Sequence, residues 1–118
     1  MSAINWFEIP TTDLDRAAKF YETLLATKLK REVFGGVPHA MFADKTTDGA
    51  LIADAKRKPN ATGTMIYLNA NGKLDACISR VSEAGGKLIL PKTDIGDPGF
   101  IAIVADTEGN VVGLHSER

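Results

Sequence analysis

The stretch INWFEIPTTDLDRAAKFYETLL (residues 4–25) changes its periodicity in the middle, and that change decides the fold. Up to Ile9 the side chains alternate. Ile4, Trp6 and Glu8 fall on one side and Asn5, Phe7 and Ile9 on the other, which is the pattern of a strand. Pro10 has no N–H to give a ladder and ends it. Beyond a polar turn, Leu14, Ala17, Ala18, Tyr21, Leu24 and Leu25 recur at helical spacing, giving one apolar face through about residue 25. Thr12 is placed to cap this helix, with Asp13 and Asp15 favoured near its positive end.

Three short strands follow, KLKREVF (28–34), VPHAMFA (37–43) and GALIA (49–53), separated by Gly-Gly and by Thr-Thr-Asp-Gly. The segment DAKRKPNATG (54–63) is polar, basic and poor in apolar residues, and reads as a solvated linker with no assigned function. The same order of elements then returns. GTMIYLNA (63–70) is a strand; Leu74, Cys77, Ile78, Val81 and Ala84 mark a helix face; Gly85-Gly86 ends that helix. KLILP (87–91), GFIAIVA (99–105) and NVVGLH (110–115) supply three more strands.

Sliding the chain by 60 residues places Leu14-Asp15 on Leu74-Asp75, and sliding by 62 places Phe42–Asp44 on Val104–Asp106. Two copies are too few for a solenoid. A duplicated βαβββ unit fits them, an α+β fold whose two small sheets share an interior. The expected modules are about 1–54 and about 63–118, joined by a linker over about 55–62.

Composition narrows the function classes. A chain of 118 residues is long enough for one domain with its own core. Fourteen basic and fifteen acidic residues leave a net charge of -1, which favours neither a nucleic-acid nor a membrane-surface partner. No run approaches the roughly 20 apolar residues of a membrane span. The first residues lack the basic and apolar regions of a secretory signal. The single cysteine, Cys77, has no partner for an internal disulfide and lies on a helix's apolar face, where it is expected to be inert core. A cytoplasmic location is the expectation. No P-loop, GxGxxG, GxSxG or HExxH pattern occurs.

A βαβββ pair with IPTTDLDRAAKFYETLL (9–25) after its first strand and DTEGNVVGLH (106–115) near its end resembles the vicinal oxygen chelate superfamily. That group includes glyoxalase I, the bleomycin- and fosfomycin-resistance proteins and the extradiol dioxygenases. The branch it most resembles is that of enzymes related to lactoylglutathione lyase. The resemblance implies a cupped mixed sheet with helices outside, a small organic molecule in the cup, and a homodimer. Alternation then puts Phe7 and Ile9 toward the helix and Trp6 and Glu8 toward the cup, together with Met65, Tyr67, Asn69, Val111, Gly113 and His115.

Metal-dependent members of the group draw ligands from the first and last strand of each module. Carried over, those positions are Trp6, Leu51, Met65 and Gly113, with a latitude of about one residue at Leu51. None offers the oxygen or imidazole donors a divalent ion needs, so no metal or other cofactor is expected there. The alternative is a shifted metal site built from Glu8 and His115, about 7 Å further along their strands, with His39 as a third donor.

Two functions are expected from these residues. In the first, a glyoxalase-related enzyme uses Glu8 as base and His115 or Tyr67 as acid or polariser, with Trp6, Met65, Asn69, Gly113 and His39 binding the substrate. In the second, a non-catalytic protein of the bleomycin-resistance type sequesters a small planar, cationic compound stacked on Trp6 and Tyr67. The plainer alternative treats Trp6, Met65 and Tyr67 as packing between half-cups, and His39 and His115 as strand histidines bonded to backbone.

Overall fold

The first strand, β1 (Phe7–Pro10), runs into α1 (Leu14–Leu25) through Thr11–Asp13. The structure, a computed structural model, describes residues 3–43 and 47–118. The remaining elements are β2 (Leu29–Phe34), β3 (Val37–Phe42), β4 (Gly49–Ile52), β5 (Tyr67–Asn69), α2 (Leu74–Arg80), β6 (Lys87–Asp94), β7 (Phe100–Ala105) and β8 (Val111–Ser116). They form two four-stranded mixed sheets with orders β1-β4-β3-β2 and β5-β8-β7-β6. In each sheet the first strand of the module pairs in parallel with the last, and the other pairings are antiparallel. This is the tandem βαβββ architecture expected from the sequence.

Burial gathers one face of the inner strands into a common core, while β4 is buried at all four of its positions. Ile9, Ala40 and Leu51 lie below β1, β3 and β4 in one core with Phe20, Tyr21 and Leu24 of α1. Leu68, Val104 and Leu114 of the second module join the same core, so the two halves share one interior. Tyr21 is central to it. Its ring stands edge-on to Phe20 at 4.8 Å and to Phe42 at 6.0 Å. Leu51 therefore faces the helix, and the expectation that it lines the cup is corrected. In the parallel register Glu8 sits beside Ala50 and Pro10 beside Ile52, so Ala50 and Ile52 are the cup-side residues of β4.

Other expectations shift by smaller amounts. Asp13, not Thr12, is the N-cap of α1: its Oδ1 accepts the Arg16 N–H at 3.0 Å. Thr12 is occupied elsewhere, its N–H and hydroxyl both donating to Glu108. The strand expected over 63–70 is confined to β5, and β6 runs on past Pro91 to Asp94 with irregular register against β7. Helix α2 stops at Arg80, and Val81 and Ala84 pack from the turns beyond it. The slide that superposes the helices does not superpose the first strands. Thr11 and Ala70 make equivalent N–H bonds to the carbonyls of Ile52 and His115, so Glu8 and Tyr67 occupy equivalent places, an offset of 59 rather than 60.

The DTEGN turn between β7 and β8 locks the modules together. Asp106 Oδ1 accepts the N–H groups of Glu108 and Asn110 at 2.7 and 2.9 Å, which fixes the turn. Its other oxygen accepts the Tyr21 hydroxyl at 2.7 Å, reaching the first module's helix. Burial and this carboxylate both push the Tyr21 hydroxyl well above its ordinary pKa, so it stays a donor. Asn110 donates to the Pro10 carbonyl at 2.8 Å and accepts the Asn60 N–H at 3.1 Å. Glu108 accepts the N–H groups of Thr12 and Asp13 at the positive end of α1, and Arg16 closes on it at 2.7 Å. Desolvation alone would raise the Glu108 pKa. The bonds from Arg16, Asp13 and Thr12 outweigh it and hold the carboxyl at about 2.

Candidate functional site

A cleft of about 1130 Å³ opens between β1 and β5, with the 53–66 connection along its side. Trp6, Glu8 and Pro10 come from the first module and Met65, Tyr67 and Asn69 from the second. Trp6 and Tyr67 are 47% and 46% exposed, far more than folding alone favours for such large rings. The Tyr67 ring lies over Gly113, its parallel partner on β8. Any Cβ at Gly113 would meet that ring, so the glycine sets how Tyr67 presents itself.

Glu8 is the acidic group on the β1 side of the cleft. Its Oε2 lies 3.4 Å from the Trp6 indole nitrogen and 3.5 Å from His39 Nε2. Both contacts are long, and a ligand donor can compete for the carboxylate. His39 is buried, with Phe34 edge-on at 5.0 Å. Its Nδ1 is 2.8 Å from the Val37 carbonyl, which only accepts, so that nitrogen carries the hydrogen and Nε2 is the one aimed at Glu8.

The expected site residues thus separate into two groups. Trp6, Glu8, Met65, Tyr67 and Asn69 line one cleft, Gly113 lies under the Tyr67 ring, and His39 backs Glu8. His115 stands apart. Its Nε2 donates to the Pro98 carbonyl at 2.6 Å, and it does not line the cleft.

The four positions carried over for a metal now read Trp6, Ala50, Met65 and Gly113, an indole, a methyl, a thioether and a hydrogen. That set does not fit a divalent ion. Glu8 and His39 are within reach of one another, but His115 spends Nε2 on backbone. Among the described residues no group of three or more His, Cys, Asp or Glu side chains is placed to hold a metal.

Two features escaped the sequence reading. The basic triplet Lys56, Arg57 and Lys58, taken for a solvated loop, lines the cleft. Asp106, Glu108 and Asn110, part of the motif that carried the family resemblance, tie the modules together. The short spacing D-x-E-x-N is the signal that could have shown the latter, since Asp and Asn habitually close turns on their own backbone.

The chain matches the family model described as Glyoxalase/Bleomycin resistance protein/Dioxygenase superfamily over residues 3–114. It belongs to that superfamily. It is 33% identical over 117 residues to a Mycobacterium bovis protein named "Putative glyoxylase CFP32"; the match takes in 93% of this chain but only 44% of that relative's length. A glyoxalase/bleomycin resistance protein from Albidiferax ferrireducens T118 superposes with a TM-score of 0.74 at 16% identity, over 99% of this chain and 100% of the other. TnmS3, an antibiotic binding protein from Streptomyces sp. CB03234, gives 0.69 at 22% identity, over 100% and 98%. At these identities the two structures speak for the shared superfamily fold. Among the described residues no helix is long and apolar enough to cross a membrane.

Proposed function

We propose that this superfamily member binds a small, flat organic molecule in the β1–β5 cleft, between Trp6 and Tyr67, with Glu8 accepting a hydrogen bond from it. The observation that carries this is that two half-exposed aromatic rings, Trp6 and Tyr67, line one open cleft together with the Glu8 carboxylate. Apolar walls with a few convergent polar groups are the usual make-up of a small-molecule site. The antibiotic-binding relative of the same fold is in keeping with it. Trp6 is the chain's single tryptophan, so its fluorescence reports on the cleft directly. Titration with 2-naphthol should quench it, and Tyr67→Ala or Glu8→Gln should weaken binding about tenfold, the scale of one stacking or charge-assisted contact. Binding that is absent, or unchanged in both variants, would refute the assignment.

A catalytic version, metal-free at the family's usual position, is favoured by one contact, Glu8 against His39 Nε2 at 3.5 Å. There Glu8 is the general base and His39, in contact with it, helps hold its carboxylate in place, while Tyr67 supplies a hydroxyl to a substrate oxygen. His115 enters this version only by releasing the Pro98 carbonyl. Homodimerisation belongs to the same proposal. Val33 and Phe34 on β2, and Leu88 and Ile89 on β6, are exposed apolar residues on the outer strands and support it. Cytoplasmic residence is in keeping with the one cysteine, which is buried and free.

A further inference from the structure

We infer that Lys56, Arg57 and Lys58 form an anion subsite of the cleft, so that the bound molecule carries a carboxylate or phosphate as well as its flat body. This rests on the proposal that the cleft is the binding site and adds the charge of what it holds.

The protein as a whole is slightly acidic, at a net charge of -1. The cleft is not. Among the described residues its lining sets Lys56, Arg57 and Lys58 against two carboxylates, Glu8 and Asp48. The arginines show the same contrast one by one. Arg16 is held by Glu108, Arg31 by Asp15 and Arg118 by Asp94, while Arg80 donates to the Leu24 carbonyl. Arg57 alone has no side-chain partner among the described residues, and it is the one that lines the cleft. A guanidinium with a free fork, beside two ammonium groups, matches the paired oxygens of a carboxylate or phosphate.

The triplet is also held in place. Asp54 accepts the Lys56 N–H on its side chain and the Arg57 N–H on its carbonyl, both at 2.9 Å, closing a tight turn. Ala53 on one side bonds the Pro38 carbonyl, and Asn60 on the other bonds Asn110 of the module-locking turn. A cation presented from a segment anchored at both ends loses less freedom on binding than one on a loose chain. The linker thus connects the modules and supplies one wall of the site. A matching ligand has an aromatic body for Trp6 and Tyr67, a donor for Glu8 and an oxyanion for Arg57.

Three probes separate these contributions: 6-hydroxy-2-naphthamide, 6-hydroxy-2-naphthoate and 6-hydroxy-2-naphthyl phosphate, each titrated against Trp6 fluorescence. At low ionic strength the naphthoate or the phosphate should bind about five- to tenfold more tightly than the amide, a moderate gain because the cations are exposed. In Arg57→Gln that preference should fall to about twofold or less, with amide binding weakened less than anion binding, and added salt should erode the preference more in the wild type than in the variant. The tighter of the two anions identifies carboxylate or phosphate as the group recognised. If the amide binds and the anions bind no better, or if Arg57→Gln keeps the full preference, the anion subsite is refuted and the cleft stands. If none of the three binds, both fall.

Discussion

Replacing Glu108 by Gln should destabilise the protein by about 2 kcal/mol at pH 7, and the deficit should shrink in acid. The Glu108 side chain is fully buried and faces donors only: the Thr12 and Asp13 N–H groups, the hydroxyls of Thr12 and Thr107, and two nitrogens of Arg16. An amide of the same shape turns one acceptor into a donor aimed at these groups and removes the charge facing Arg16 and the helix terminus. Holding the carboxyl at about 2 instead of the usual 4.5 corresponds to roughly 3 kcal/mol, and the half-exposure of Arg16 lowers that toward 2. The sign follows from the direction of the shift. A depressed carboxyl stabilises the fold fully above its unfolded pKa, near 4.5, and the contribution is lost as pH falls toward 2. Urea unfolding followed by far-ultraviolet circular dichroism, at pH 7, 5 and 3.5, should show the wild-type advantage over Glu108→Gln intact at the first two and reduced by about 1 kcal/mol at the third. A deficit below about 0.5 kcal/mol at pH 7, or one that ignores pH, would show that the clamp does not hold the modules.

Phe7 and Glu8 are chain neighbours on opposite faces, so Phe7→Ala should cost about 2–4 kcal/mol in the same unfolding assay while Glu8→Gln stays within about 0.5, because only Phe7 packs on Gly49 and the Phe42 ring. Tyr21→Phe should cost about 1–3 kcal/mol, since it strips a buried Asp106 oxygen of its 2.7 Å donor. Ala26 ends α1 in the left-handed region at φ 52°, so Ala26→Gly should raise stability by about 0.5–1 kcal/mol, seen as a higher melting temperature. Zinc, nickel, manganese or iron should leave the melting temperature within about 1 °C of its metal-free value, because a ligand stabilises only by binding the native state better than the unfolded one. A stoichiometric metal that survives dialysis, and is lost in Glu8→Gln, would instead place a shifted site around Glu8.

What the sequence determined by itself is local and periodic. Alternation up to Ile9 and helical spacing from Leu14 are short-range patterns that state a strand and a helix. The strand nevertheless begins only at Phe7 and takes in Pro10, which the sequence reading set as its stop. Their recurrence near residue 74 is enough for a duplicated unit, and the sidedness of Phe7, Glu8, Tyr67 and Asn69 follows from the same alternation. The tertiary structure decided everything that depends on register between distant segments. Leu51 turned from cup to core because β1 pairs Ile9 with Leu51 and Glu8 with Ala50, and a one-residue slip moves a side chain to the other face. Thr12 lost the cap to Asp13 because Glu108, 96 residues away, took its N–H and hydroxyl. His115 shares a cup face with Asn69 by pairing, yet a turn carbonyl at Pro98 holds its ring. Arg57 became a candidate binding residue only when two modules folded against each other and left its linker beside their cleft, since an exposed cation acquires a role from what surrounds it.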